Sequence, residues 1–269
     1  MRILGIDGLH PQKVEELNLE NLKQVEHGEL TVPINKKHGV PLSPEVWYAF
    51  LTGKKKHKEF EGRSNTHKLL AGIKQYIPLS LGLSKKMRKH GLNKSIISYP
   101  PLDSKTFLEE CNYKGFNVPY YDFKISKFSQ LSLEWIQGKV TTEHFKRVHE
   151  RDFEDWESFV REQKTSCCFF AYTSFFDCIQ HCFYQDEEYI NKKYVDLDAF
   201  VGKLPEQKTM LLSDHGLENG RHTMKGFYSL SWKEGLENPH IIDLHDLICP
   251  PKPNQKEEVK KRLKELGYI

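Results

Sequence analysis

The sequence lacks any long hydrophobic run and carries almost no net charge. No apolar stretch approaches the roughly 18 residues needed to span a bilayer, so we expect no association with a membrane. Lys and Arg number 40 against 37 for Asp and Glu, and the formal charge of +3 does not favour a stable nucleic-acid complex. Residues 1–8 lead directly into a strand pattern without a signal peptide, which indicates a cytoplasmic protein.

Neither a disulfide framework nor a repeat organises the chain. The six cysteines occur without a signal peptide, so they are expected to be reduced thiols. The sequence contains no internal repeat and no low-complexity tract. A length of 269 residues then suits a single domain that spans 1–269, with room for inserted loops.

What the sequence does contain is a series of short apolar runs that alternate with helical patterns. The apolar runs predict strands at 2–7, 94–101, 166–174, 208–214 and 226–231. Helical periodicity and end signals predict helices at 11–28, 41–53, 141–163 and 254–269. This order predicts an α/β fold with a central, mostly parallel sheet and helices on both faces. Residues 54–140, rich in Lys, Gly and Pro, are expected to form a cap or insertion.

Metal-type ligands follow three of the predicted strands. Because the carboxyl ends of parallel strands meet at one edge of a sheet, residues just after these strands are expected to lie together. An Asp and a His four residues apart, as in "DCIQH", also share one face of a helix. The residues brought together in this way are Asp7, Asp177, His181, Asp214, His215 and His222. Six such ligands exceed the needs of one tetrahedral ion and predict two ions about 4 Å apart.

A candidate nucleophile precedes the apolar helical pattern at 41–53. Ser43 stands directly before Pro44, and this pair is typical of an N-cap followed by the first helical residue. The hydroxyl would lie where backbone N–H groups and the helix dipole favour an anion. Next to a divalent ion it would ionise more readily and could attack phosphorus. We therefore expect Ser43 to act in phosphoryl transfer.

Several of these segments resemble the motifs of a known enzyme superfamily. In chain order, "GIDG", "SPEVWYAFLTGK", "DCIQH", "SDHG" and "KGFYSL" resemble motifs of the alkaline phosphatase superfamily, closest to its nucleotide pyrophosphatase/phosphodiesterase branch. The resemblance covers both ends and the centre of the chain, whereas residues 66–165 add little. It implies an alkaline-phosphatase-like fold and hydrolysis of a phosphodiester or pyrophosphate bond in a small, nucleotide-type substrate.

The resemblance also implies roles for individual residues. It divides the ligands between two ions, with Asp7, Ser43, Asp214 and His215 on one and Asp177, His181 and His222 on the other. Ser43 would form a covalent phospho-enzyme, which a metal-activated water then hydrolyses. The Asn that holds a phosphate oxygen in related phosphodiesterases has its nearest match in Asn65. Mixed His and carboxylate ligands favour zinc, with manganese as the alternative.

Two features depart from the family pattern. Pro44 follows Ser43 directly, whereas related phosphodiesterases often have one residue between the nucleophile and the proline. The His-Gly-containing turn that often follows the Thr-Gly pair is replaced by "KKKHKEFEGRSN". The assignment of Asn65 therefore depends on the length of this loop.

Two other functions are compatible with the same residues. A phosphomonoesterase would use the same ligands and nucleophile, and a non-catalytic binding protein could keep the metal site without turnover. A sulfatase is excluded because no Cys-Xaa-Pro-Xaa-Arg motif surrounds the nucleophile. Phosphoglycerate mutases of this superfamily carry a large inserted domain, for which the chain is too short.

Overall fold

The computed structural model describes residues 1–55, 99, 101–123, 131–132, 134–250 and 264. Within these ranges the strands are β1 (Arg2–Ile6), β2 (Glu26–Thr31), β3 (Lys114–Phe116), β4 (Phe169–Thr173), β5 (Thr209–Ser213), β6 (Leu217–Glu218), β7 (Arg221–His222) and β8 (Lys225–Leu230). The helices are α1 (Pro11–Glu16), α2 (Glu20–Lys23), α3 (Ser43–Thr52), α4 (Phe107–Glu110), α5 (Thr142–Glu162), α6 (Phe175–Phe183), α7 (Glu187–Gly202) and α8 (Ile241–Ile248). None of the helices in these ranges has both the length and the apolar character needed to cross a membrane.

Six of the strands form one mixed sheet in the order β2-β8-β5-β1-β4-β3. β1 pairs in parallel with both β4 and β5, and β3 extends the sheet in parallel from β4. β8 runs antiparallel to β5 and to β2. The predicted α/β class with a mostly parallel sheet is therefore confirmed. The adjacent strands β5, β1 and β4 bring their carboxyl ends to the same edge.

Helices cover both faces of the sheet, as predicted. Successive side chains of a strand point to opposite faces, and in β1 Leu4 packs in one core cluster whereas Ile3 packs in the other. The Leu4 cluster includes side chains of α5, α6 and α7, and the Ile3 cluster includes side chains of α3 and α8. Burial on both faces explains why the central strands are continuous apolar runs in the sequence.

The helix predicted at 11–28 is interrupted between residues 16 and 20 and is wrong from residue 24 onward. The chain forms two short helices, and Asn18 and Gln24 just beyond them have positive φ angles of 50° and 56°. Glu26–Thr31 then forms the edge strand β2 and pairs with β8. The helix stop expected at Gly28 lies inside this strand. A polar edge strand lacks the apolar run that identified the central strands.

The other predicted elements agree more closely with the structure. The predicted helix at 141–163 and the strands at 2–7, 166–174, 208–214 and 226–231 are confirmed within three residues at each end. α3 ends at Thr52 and is followed by the C-cap Gly53, which has a left-handed φ of 66°. The capping role of Ser43 is corrected, because Leu42 occupies the N-cap and Ser43 is the first helical residue.

The segment predicted as a cap is described only in part. Its residues Lys114–Phe116 form β3, an edge strand of the main sheet. Of the strand predicted at 94–101, only Tyr99 and Pro101 lie within the described residues. Of the terminal helix predicted at 254–269, only Lys264 does so.

Candidate metal centre

The candidate centre lies where three parallel strands end. Asp7 follows β1, Asp214 and His215 follow β5, and Asp177 lies in the first turn of α6, just after β4. The backbone N–H of Asp177 donates to the carbonyl oxygen of Asp7 at 3.0 Å, so the two loops touch. Gly8 permits this contact, because a Cβ at its position would lie 2.8 Å from the Asp177 backbone.

One imidazole nitrogen stands at the middle of the cluster. Nε2 of His215 lies 3.3 Å from the Ser43 hydroxyl and 3.3 Å from Oδ1 of Asp7. The same nitrogen lies 3.4 Å from Oδ2 of Asp214 and 3.9 Å from Oδ1 of Asp177. A single nitrogen cannot make good hydrogen bonds to four oxygens. A cation among these atoms would satisfy all of them at once.

A second group adjoins the first. Oδ1 of Asp177 lies 3.1 Å from Nε2 of His181 and 3.7 Å from Nε2 of His222. The two Nε2 atoms of His181 and His222 are 3.0 Å apart. The His222 ring stacks on that of His215 at 3.7 Å, and Asp177, His215 and His222 also lie close enough to share an ion. The two groups are therefore contiguous.

The three imidazoles are oriented by the backbone. Each Nδ1 lies near a carbonyl oxygen, at 3.2 Å for His215 and Gly216, 2.9 Å for His222 and Pro41, and 2.9 Å for His181 and Gly220. A carbonyl oxygen can only accept, so each Nδ1 must carry the proton and donate. Nε2 is then left as the ligand atom on every ring, which is the arrangement that backbone carbonyls give to metal-bound His.

Several buried oxygens of the centre have no hydrogen bond within the described part of the chain. They are Oδ1 of Asp7, Oδ1 of Asp177, and both carboxylate oxygens of Asp214. Buried polar atoms without partners are uncommon, because each one costs the free energy of its lost hydration. Divalent cations take such oxygens together with imidazole nitrogens. The donor set therefore fits one or two metal ions.

The pKa values of two carboxyl groups in the centre are raised. Burial raises the pKa of Asp214 to about 7, and the charge of Asp177 acts in the same direction. Burial and the charges of Asp214 and Asp177 also raise the pKa of Asp7 well above its ordinary value. Like charges this close cannot all persist without a counter-ion. A divalent cation would allow all three carboxylates to remain ionised.

The imidazoles differ from one another in their proton affinity. Burial disfavours the charged form of His181, but the carboxylate of Asp177 outweighs this effect and raises the pKa of His181 to about 9. Burial and the neighbouring His215 lower the pKa of His222 to about 4. At neutral pH His181 therefore carries a proton that the Asp177 carboxylate stabilises, whereas His222 is neutral. A metal ion would replace that proton as the shared cation.

The arrangement differs from a Ser-His-Asp triad. In such a triad the serine and the carboxylate bind opposite nitrogens of the imidazole. Here Ser43, Asp7 and Asp214 all lie on the Nε2 side of His215. Nδ1 is engaged by the carbonyl oxygen of Gly216 instead. The geometry therefore favours ligation of a cation over a charge-relay role for His215.

All seven residues predicted to bind metal lie together at this edge, whereas Asn65 lies outside the described residues.

Sequence reasoning missed the contribution of Tyr172, whose hydroxyl donates to Oδ2 of Asp7 at 2.5 Å. Its signal was a tyrosine inside a fully buried strand, because a buried hydroxyl needs a hydrogen-bond partner. Ser213 was missed too. It accepts from the Leu9 N–H and donates to the His215 carbonyl, at 2.9 and 2.8 Å.

No protein-family model matches the chain, and no curated protein matches it. The function is therefore inferred from the chemistry of the site.

Proposed function

We propose that the protein is a metal-dependent hydrolase that cleaves a phosphodiester or pyrophosphate bond in a small, nucleotide-type substrate. The observation that carries this proposal is the convergence of three Nε2 atoms with buried carboxylate oxygens that accept no hydrogen bond from the described residues, beside the hydroxyl of Ser43. The motif order resembles that of the nucleotide pyrophosphatase/phosphodiesterase branch of the alkaline phosphatase superfamily. We propose the same fold family and reaction class for this chain.

The proposed ligands form two sets. One ion would be held by Asp7, Ser43, Asp214 and His215, and the other by Asp177, His181 and His222. Zinc suits this mixture of nitrogen and oxygen donors, with manganese as the alternative. When bound, the ions would stabilise negative charge on the phosphoryl oxygens and ease ionisation of the serine hydroxyl.

The chain itself positions the nucleophile. Ser43 is the first residue of the ten-residue helix α3, so its hydroxyl lies at the positive end of the helix dipole. The helix dipole favours an anionic phosphoryl group at this point. Oγ of Ser43 forms a bond to phosphorus as the bond from phosphorus to the leaving oxygen breaks. Water then cleaves the phosphoserine and restores the hydroxyl.

The exposure of the ligands indicates the direction of substrate entry. The side chains of Asp214 and His215 are fully buried, whereas that of His181 is 37% exposed. The substrate would therefore approach from the side of α6 and leave the β5 end shielded from water. Shielding strengthens electrostatic interactions at the reacting phosphorus.

Hydrolysis of aryl phosphates tests the proposal. Protein supplied with zinc or manganese should release nitrophenol from bis(4-nitrophenyl) phosphate faster than from 4-nitrophenyl phosphate. Preference for the monoester would instead identify a phosphomonoesterase. Binding of metal without turnover of either ester, or of a dinucleoside polyphosphate, would identify a non-catalytic metal-containing protein and contradict the proposed activity.

A further inference from the structure

A tyrosine hydroxyl gives the two oxygens of Asp7 different surroundings, because it donates a hydrogen bond to one of them. Tyr172 is buried on β4, and its ring makes edge contacts with Trp47 and Phe123 at 5.1 and 4.9 Å. These contacts fix the position of the ring. Its hydroxyl donates to Oδ2 of Asp7 at 2.5 Å.

The strand register brings the two side chains together. Tyr172 on β4 lies opposite Gly5 on β1. Asp7 follows Gly5 by two residues, and residues two apart in an extended chain share one face of a sheet. The contact is therefore a consequence of the parallel pairing and does not depend on a flexible loop.

The second oxygen of Asp7 remains available. Oδ1 is buried, accepts no hydrogen bond from the described residues, and lies 3.3 Å from Nε2 of His215. Asp7 also joins Asp214 and His215 as a possible metal group in which each residue offers one ligand atom. A carboxylate with one oxygen held by a tyrosine offers one oxygen to an ion.

The number of donors then decides which ion fits. With one oxygen from each of Asp7 and Asp214, the set of Asp7, Ser43, Asp214 and His215 supplies four donors in all. Four donors with nitrogen among them suit tetrahedral zinc. A bidentate carboxylate would raise the coordination number toward the values that manganese and other oxygen-seeking ions take.

We propose that Tyr172 is a positioning residue that holds Asp7 as a one-oxygen ligand and so makes this ion site favour four-coordinate zinc over manganese. The inference rests on the proposed metal centre, but it concerns selectivity for the ion and not turnover. Hydrogen bonds to ligating carboxylates are known to change metal affinity by about 10- to 100-fold.

The test compares Tyr172→Phe with Tyr228→Phe. The first variant removes the hydroxyl on Asp7 and keeps the ring in the core. The second removes the hydroxyl of another buried tyrosine, which donates to the carbonyl of Leu236 at 3.4 Å. Zinc and manganese affinities are measured by chelator competition on the metal-free proteins. Cobalt-substituted proteins report coordination number through their visible absorption, which is intense for four-coordinate ions.

Tyr172→Phe should lower the affinity for one of the two zinc ions by about 10- to 100-fold and lower the affinity for manganese less. It should also reduce the visible absorption of four-coordinate cobalt. Tyr228→Phe should match the wild type in all three measurements. Equal zinc affinity in the two variants would overturn the proposal, as would equal weakening of zinc and manganese.

The wild-type protein gives a test that does not depend on folding of a variant. Its cobalt form should contain a four-coordinate ion, and two six-coordinate ions would overturn the inference. A wild-type protein that binds no metal would overturn both this inference and the proposed function. Two bound ions with an unchanged Tyr172→Phe variant would overturn the inference alone.

Discussion

Backbone carbonyl groups orient the ligand side chains of the candidate centre. The carbonyls of Pro41, Gly216 and Gly220 each accept from one Nδ1 of the three imidazoles. A carbonyl group remains in place when a neighbouring side chain is replaced. Single substitutions of other residues in the centre should therefore leave the imidazoles directed at the metal positions.

Replacement of the proposed nucleophile tests the role of Ser43. Ser43→Ala should reduce diester hydrolysis by about 10³-fold or more, because removal of a nucleophile removes the covalent route. Most metal binding should persist, since Asp7, Asp214 and His215 remain. Initial rates and zinc content of the same preparation measure both effects.

Ser43→Thr is the matched control, because it keeps a hydroxyl at the first position of α3. It should retain part of the activity that Ser43→Ala loses. Near-normal activity in Ser43→Ala would place the nucleophile elsewhere or make water the direct attacker.

Whole elements meet at the centre through close backbone contacts. The loop after β1 touches the first turn of α6 at Gly8, which has a φ of 80°. A Cβ at Gly8 would lie 2.8 Å from both the backbone nitrogen and the Cα of Asp177. The spacing of Asp7 and Asp177 therefore depends on the absence of a side chain here.

Gly8→Ala should displace α6 and weaken binding of the metal ion at Asp177 and His181. Gly138→Ala is the control, because Gly138 has a φ of 66° and no atom of the described residues lies within 4 Å of its added Cβ. Both variants should lose about 1–2 kcal/mol from the left-handed backbone. Only Gly8→Ala should also lose zinc affinity, measured by chelator competition. Equal affinity in the two variants would show that the contact does not set the ligand spacing.

One carboxylate joins the edge strand β2 to the loop that follows β8. Glu26 accepts three backbone N–H bonds, from Glu234 at 2.8 Å, Gly235 at 2.7 Å and Leu236 at 2.9 Å. Burial would raise the pKa of Glu26, but these bonds outweigh it and lower the pKa below its ordinary value. A lowered folded-state pKa stabilises the fold above the unfolded value of about 4.3, and the effect is lost as pH falls through the folded value.

Glu26→Gln should therefore reduce the free energy of unfolding at pH 7 by about 1 kcal/mol, since an amide oxygen accepts weaker hydrogen bonds than a carboxylate. The difference from the wild type should shrink below about pH 4, where the carboxylate becomes protonated. Urea unfolding of both proteins at pH 7 and pH 3 measures this difference in the free energy of unfolding. Glu29→Gln, on an exposed position of β2, should have little effect at either pH. A difference that is the same at both pH values would exclude the carboxylate as its source.

The sequence was informative where local pattern and local chemistry coincide. Continuous apolar runs located β1, β4 and β5, and the order of parallel strands then placed Asp7, Asp177 and Asp214 together. β2 was assigned to a helix because its pairing with β8 and its contacts with residues 234–236 come from distant parts of the chain. The hydrogen bond from Tyr172 to Asp7 depends on strand register, which no short motif records.

At the scale of the whole molecule, the centre joins the two core layers. α3 packs on one face of the sheet and supplies Ser43, whereas α6 packs on the other and supplies Asp177 and His181. The ligands can converge only when both layers are packed on the sheet. Metal binding should thus be coupled to the complete fold and should stabilise it by mass action.

Metal content is the most direct test of this account. After incubation with zinc or manganese and removal of free ions, elemental analysis should find close to two ions per chain, because the ligands form two contiguous sets. Asp177→Ala and His181→Ala should each lower this number toward one, with the ion at Asp7, Asp214 and His215 retained. A wild-type chain that holds no zinc, manganese or iron after metal has been supplied would contradict the account.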